Sequence, residues 1–491
     1  MRPNVLDVPA TTEFTDHKVV ARRLHLEEHF MSEQKTTYSQ DLDRALSLRE
    51  NILITLSSVT PASSLFIIVP ALIAGLAGGS VLAMALAGLI GIFVGLCYAE
   101  LSSAYPITGG EYTWAARLLG KTTGFAVFML TLVSGILIIG VIGSGVAPYL
   151  SAVWSGADSK YTILVVILIT TVISALTITT NAWVTGVCLA LEVLAAAVVA
   201  VLGFTHIERG PAVFVQPQAL DANGALTSVS LALVVSQLAL ALFAYNGYGT
   251  AVYYSEETKG ATRNIGRAIM ISLGVTVAVE LIPLMGVILG TKSLEGLVGS
   301  DAPLNMFLVE RGGDTVNKLV SLGVAIAIFN AVIAIQIQNA RLIYSSARDK
   351  SWPDAMDNAL GSINAKTKTP VIATVVVGVL SALTAFYVPF NWLLIATGAG
   401  VVFIYAAVAV AALCVRSHGP SRDGIYRMPL FPIPPILVLG FMAYVLYQNV
   451  TTDAKPVLVS VVTMAIGALW YAGFIRPSRG ARWTLPDPHT D

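Results

Sequence analysis

The sequence predicts an all-α integral membrane protein: twelve transmembrane helices, formed by a 5+5 inverted repeat with discontinuous helices 1 and 6 plus two C-terminal helices. Three observations predict it. Of 491 residues, 55% are hydrophobic and only 12% charged, about half the charge of a typical soluble domain. Apolar windows of roughly 20 residues, the length that crosses the hydrocarbon core, recur along the chain. The first and sixth of these windows are interrupted near their centres by residues that a continuous membrane helix avoids.

In order along the chain, residues 1–50 are polar and mixed in charge, too long and too polar for the leading region of a signal peptide. They are expected to form a disordered cytoplasmic tail. "MSEQKTTYSQ", beginning at Met31, resembles a start site, which makes residues 1–30 dispensable on this reading. Spans follow near 51–76, 80–103, 123–150, 161–180, 182–206, 229–255, 266–290, 316–347, 370–388, 391–415, 431–449 and 456–475. The first repeat covers 51–206 and the second 229–415; the two extra helices lie in 431–475, and 476–491 is a second cytoplasmic tail.

Charge placement orients the bundle. With the N-terminus inside, 23 of the 29 Lys and Arg fall in inner tails and loops, and Lys160, Arg209, Lys292, Arg311, Lys318 and Lys455 fall outside. The positive-inside rule therefore predicts a multi-pass protein of the cytoplasmic membrane with both termini in the cytoplasm. Net charge is zero, which gives no sign of a nucleic-acid partner. Cys97, Cys188 and Cys414 sit apart in apolar runs, and the histidines fall in tails, a loop or a helix end, so no metal, haem or other cofactor is expected. "GKTT" at 120–123 lacks the first glycine of a phosphate loop, having Ala115 there, and no strand leads into it.

The two interruptions carry the functional reading. "LITLSSVTPASSLFIIVP" (53–70) crowds Ser, Thr and Pro into span 1, and "LALFAYNGYGTAVYYSEETKG" (240–260) puts Asn246, Gly247 and Gly249 into span 6. Backbone that leaves the helix cannot face lipid, because each unpaired N–H or C=O costs several kcal/mol there, so a break must line an enclosed cavity. Breaks at the first span of each half are the pattern of an inverted repeat with a midplane binding site. The alternative is that Pro61 merely kinks span 1 while its hydroxyls satisfy nearby carbonyls.

Three ordered motifs carry a resemblance. "YAELSSAYPITGGEYTWAARLLGKTTGF" follows span 2, "FAYNGYGTAVYYSEETKGATRNIGRAI" lies in and after span 6, and "NARLIYSSARDKSWPDAM" follows span 8. Together, across roughly residues 50–415, they resemble the amino acid–polyamine–organocation transporter superfamily. The resemblance implies alternating access and substrates that are amino acids or related amines, with no bond broken. Many members place Gly-Ser-Gly-Ile-Phe in span 1; aligned on Phe66, this chain has Ala62, Ser63, Ser64 and Leu65, so the family contact carries over at Ser63. Thr60 before Pro61, and the following Phe66, look more like the bacterial polyamine importers, while hydroxyls and backbone can still hold a carboxylate. In span 6, Ala244, Tyr245, Asn246, Gly247 and Tyr248 match the unwound segment, and Phe243 or Tyr245 can offer a ring to an ammonium.

Other residues complete the expected site. Glu192 lies inside span 5, where an ionisable group is costly enough to suggest function. In some proton-coupled relatives a lysine holds roughly this place, so Glu192 is the coupling candidate, against a permanent bond to a neighbouring helix. Glu280 in span 7 is expected to pack or to make an outer-side polar contact. Glu100, Glu257, Lys259 and Arg341, with Glu256, match family positions near cytoplasmic ends and suggest an inner gate of ion pairs, or solvated anchors. Asn330, Thr397 and Gly398 can face the cavity, with packing the default. The expected partners are a small amino acid or amine, protons in symport or an antiported solute, and the lipid bilayer; oligomeric state is open. The alternatives are a polyamine or alkanolamine importer and a transporter-like nutrient sensor.

Overall fold

The structure, a computed structural model, describes residues 46–107, 109–157, 160–176, 181–255, 257–419, 425–478, 480–483 and 485. The expected tail therefore lies outside the described residues except at 46–50, as do the dispensable segment 1–30 and Glu256.

Ser47 opens the first helix, α1 (Leu48–Val59), through a reciprocal cap: its hydroxyl accepts from the Glu50 N–H, and the Glu50 carboxylate accepts from the Ser47 N–H at 2.6 Å. Thr60 then takes a left-handed conformation, φ 50° and ψ 63°. Pro61, which has no N–H to donate backward, starts α2 (Pro61–Ile67), and α3 (Val69–Leu76) completes the first apolar span. The break is thus one residue wide, and Ala62, Ser63 and Ser64 are helical rather than unwound. Next come α4 (Gly79–Ala104), a short connecting helix α5 (Glu111–Leu118), α6 (Lys121–Ser144) and its continuation α7 (Val146–Ser151). The chain goes on through α8 (Lys160–Ser174) and α9 (Asn181–Thr205). A two-stranded antiparallel hairpin, β1 (Gln218–Leu220) with β2 (Leu226–Ser228), leads into the sixth span.

That span is α10 (Leu231–Ser236), α11 (Leu238–Ala244), a break over Tyr245–Gly247 and a 3₁₀ segment, Tyr248–Tyr254. Gly247 has φ 120°, and a Cβ there would stand 2.9 Å from the Cα of Val59. The two breaks therefore touch. Beyond them lie α12 (Ala261–Gly290), α13 (Leu294–Val298), α14 (Pro303–Arg348, bent at Gly313), α15 (Asp354–Leu360), α16 (Val371–Tyr387), α17 (Phe390–His418), α18 (Ile433–Thr452) and α19 (Lys455–Trp470).

Among the described residues, 10 helical stretches are long and apolar enough to cross a membrane. The spans expected at 161–180 and 370–388 fall on α8 and α16, apolar helices of 15 and 17 residues that pack on each other. Large apolar side chains such as Leu168, Val172, Leu194, Leu319 and Leu469 stay more than half exposed on the outer surface, as a lipid-facing surface requires. Inside, α9 and α12 approach at Gly203 and Gly286, where a Cβ on Gly203 would collide with backbone at 2.2 Å.

Contacts sort the helix ends into two faces. On the first, Leu46 pairs with the Glu257–Lys259 backbone, Tyr112 meets Ser345, and Glu100 meets Arg416. On the opposite face, the Tyr149 hydroxyl donates to the Phe66 carbonyl at 2.5 Å, and Arg311 pairs with Glu208.

Candidate functional site

A cavity of about 80 Å³ opens where the two breaks meet. That is room for several waters or a small organic group. Ser58, Thr60 and Ser64 line it from span 1, Phe243, Asn246 and Thr250 from span 6, and Gln338 and Asn339 from α14. The Asn246 carbonyl accepts a hydrogen bond from Tyr405 of α17 at 3.1 Å, which fixes the amide at the rim of the break.

Of the expected binding residues, Thr60, Ser64, Phe243 and Asn246 line this cavity, whereas Ala62, Ser63, Ala244, Tyr245 and Tyr248 are buried behind it. Helix geometry separates them: Ala62 and Ser63 sit in the first turn of α2 and point away from the face that carries Thr60 and Ser64. Thr397 donates back to the Leu393 carbonyl within its own helix, and Gly398 lies against the Ala239 backbone, so both serve packing.

Behind α2, Glu192 is fully buried and neither carboxylate oxygen has a hydrogen-bond partner among the described residues. The Ala62 N–H, freed by the break from any intrahelical partner, faces it in a geometry looser than a hydrogen bond. The coupling candidate thus looks onto the span 1 break rather than into the cavity. Glu280 is also fully buried and unbonded, with the Tyr245 hydroxyl as its polar neighbour. Of the two expectations for Glu280, its burial agrees with packing, and an outer-side hydrogen bond is absent among the described residues.

Sequence reading missed the one carboxylate that lines the cavity among the described residues. Glu111, the first residue of α5, lines the cavity, and both its oxygens are held: Tyr98 donates to Oε1 and Tyr253 to Oε2, each at 2.7 Å. Burial pushes the Glu111 carboxyl above its usual range, while the two phenols pull the other way by favouring the ionised form. The signal was visible in "GGEYTW", but the motif falls in a connecting segment, where a carboxylate is ordinarily solvated.

The expected gate residues form two separate clusters on the first face. Glu257 pairs with Arg341 at 3.1 Å, and the Arg341 guanidinium lies 5.1 Å from the Tyr254 ring centre. Glu100 instead accepts from Arg416 at 2.7 and 3.2 Å and from the Met428 N–H at 3.1 Å, with the guanidinium stacked 3.9 Å from the Phe431 ring centre. Lys259 is exposed and makes no ion pair among the described residues; its backbone N–H bonds Leu46. On the opposite face the Phe66 and Tyr149 rings meet edge to face at 5.3 Å and, with their hydrogen bond, line a wider crevice of about 860 Å³.

Comparison with known proteins matches this architecture. The amino acid permease family model matches residues 46–469. The branched-chain amino acid permease BcaP of Bacillus subtilis is 22% identical over 388 residues, 75% of this chain and 80% of that one. The methylthioribose transporter of the same organism is 23% identical over 452 residues, covering 88% and 94% of the two chains. Cationic amino acid transporter 3, mitochondrial, of Arabidopsis thaliana is 23% identical over 412 residues, 79% of this chain and 64% of that one.

Proposed function

The chain belongs to the amino acid permease family, and from that premise we propose that it is a secondary active transporter which moves an amino acid or small organic amine across the cytoplasmic membrane by alternating access. The observation that carries this reading is the cavity at the contact of two broken helices. A helix break supplies polar backbone at the midplane, where intact helices present only side chains. The relatives' names include a branched-chain amino acid permease and a methylthioribose transporter, so the family admits unlike cargo and the cavity lining must choose among them.

In this reading α8 and α16 are short spans that complete a twelve-helix, 5+5 inverted-repeat bundle, and the first face is cytoplasmic. Thr60, Ser64, Phe243 and Asn246 contact the substrate, while Ala62, Ser63, Ala244, Tyr245 and Tyr248 support the breaks. Glu192 exchanges a proton as α2 moves: with no hydrogen-bond partner among the described residues, its carboxylate responds to whatever the break presents. The Glu257–Arg341 and Glu100–Arg416 pairs hold the cytoplasmic side, and the Phe66–Tyr149 contact holds the outer side.

Purified protein in proteoliposomes, offered labelled amino acids, polyamines and alkanolamines with and without a pH gradient or internal substrate, tests the proposal. Accumulation under an inward proton gradient supports symport, and uptake that needs internal substrate supports exchange. Uptake of none of them would favour the nutrient sensor.

A further inference from the structure

Among the described residues, the cavity lining contains one carboxylate, Glu111, and no basic side chain. Among the described residues Glu111 has no ion-pair partner. We propose that Glu111 is the group that recognises the substrate's primary ammonium, and that the cavity selects cationic amine groups over carboxylates. The proposal rests on the transport reading above and names the substrate chemistry of that same site.

The hydrogen bonds of the lining point the same way. A carboxylate offers about four acceptor directions, and the Tyr98 and Tyr253 phenols use one on each oxygen. The remaining lone pairs are held in a fixed orientation at the cavity wall. Three lining hydroxyls have already committed their hydrogens to backbone carbonyls: Ser58 to Ile54, Thr60 to Val59 and Thr131 to Val127. What these hydroxyls have left to offer is lone pairs, which suit a donor and not an anion. The Tyr98 and Tyr253 rings add aromatic surface beside the carboxylate.

Charge supplies the driving force. A buried carboxylate without a counter-ion is expensive, and two neutral donors offset only part of that cost. An ammonium carries three donors and the missing charge. Its arrival neutralises Glu111 without displacing either tyrosine, whereas a substrate carboxylate at the same place would add like charge.

The test uses the full-length protein in proteoliposomes with two competitors, 3-methylbutylamine and 4-methylpentanoate, the amine and acid counterparts of a branched-chain amino acid, and with putrescine. In the wild type, the amines are expected to compete with the carried solute and the acid is not. Glu111→Gln is expected to raise the apparent KM for that solute about tenfold or more, the size of a lost charge-assisted hydrogen bond, with a smaller change in maximal rate. Glu111→Asp is expected to recover most of the affinity.

A KM within twofold of wild type in Glu111→Gln overturns the proposal, as does competition by the acid and not the amines. Loss of pH dependence at unchanged KM also overturns it and makes Glu111 a proton site. If Glu111→Gln does not fold, the wild-type competition decides. If the wild type carries no member of the panel, the transport reading fails. Titration of 3-methylbutylamine and putrescine into wild type and Glu111→Gln then decides separately, equal affinity being the overturning result.

Discussion

Gly247 lies against Val59 so closely that a Cβ on the glycine would stand 2.9 Å from the valine Cα. The break of the sixth span thus rests directly on the end of α1. The positive φ disfavours any side chain, and the nearest clash is with the Val59 backbone, which has no rotamer to relieve it. Gly247→Ala is expected to cost about 1–3 kcal/mol and to cut uptake at least tenfold by parting the two breaks. Gly274→Ala, in α12 where a Cβ meets open space, is the control and is expected to transport normally. Initial uptake rates corrected for the amount of folded protein check both.

Among the described residues Glu192 has no hydrogen-bond partner to lose, so Glu192→Gln is expected to leave the fold intact. It is also expected to abolish the response to a pH gradient while substrate exchange continues. Proteoliposome uptake with and without an imposed gradient separates the two, and a gradient response equal to wild type would remove Glu192 from the coupling role.

Glu100 is buried with its carboxylate bonded to Arg416 and Met428, and its side chain is 3% exposed against 30% for Arg416. Removing one partner leaves the other charge poorly solvated, so Glu100→Ala is expected to destabilise by about 3 kcal/mol. Arg416→Lys keeps the charge but loses the fork and the stacking on Phe431, and should cost less. Thermal melting of the single and double variants gives the coupling energy, expected at about 1–3 kcal/mol.

Trp483 is fully buried against Tyr112, Phe125 and Tyr471, and its backbone N–H donates to the Asp349 carbonyl at 2.6 Å. Next to it, Arg482 bonds Asp354, Asp357 and the Trp352 carbonyl. Arg482 and Trp483 therefore form a wedge between α5, α6 and α15. Trp483→Ala is expected to cost about 3–5 kcal/mol by opening a cavity, seen as a lower melting temperature in detergent. Trp483→Phe is expected to recover part of it.

The apolar spans and the presence of an interruption in the first and in the sixth of them were legible in the sequence, because each depends on hydropathy over one window or on the backbone preferences of a few residues. Part of the cavity lining followed, since Thr60, Ser64, Phe243 and Asn246 flank those breaks. Which hydroxyls of span 1 face the cavity did not follow, because the break is one residue wide and helix rotation resumes at Pro61. Tertiary structure alone brought Arg416 to Glu100 across 316 residues and Tyr253 to Glu111 across 142. A carboxylate's partner is set by which helices pack together, and no local pattern encodes that choice. The same holds for Trp483, whose burial in an aromatic nest depends on α5, α6 and the end of the last helix converging on one face. The sequence by itself thus determined the membrane class and which of its spans are interrupted, through local free energies of burial and backbone geometry. Only the assembled bundle decided which charges are paired and which carboxylate, Glu111, lines the cavity.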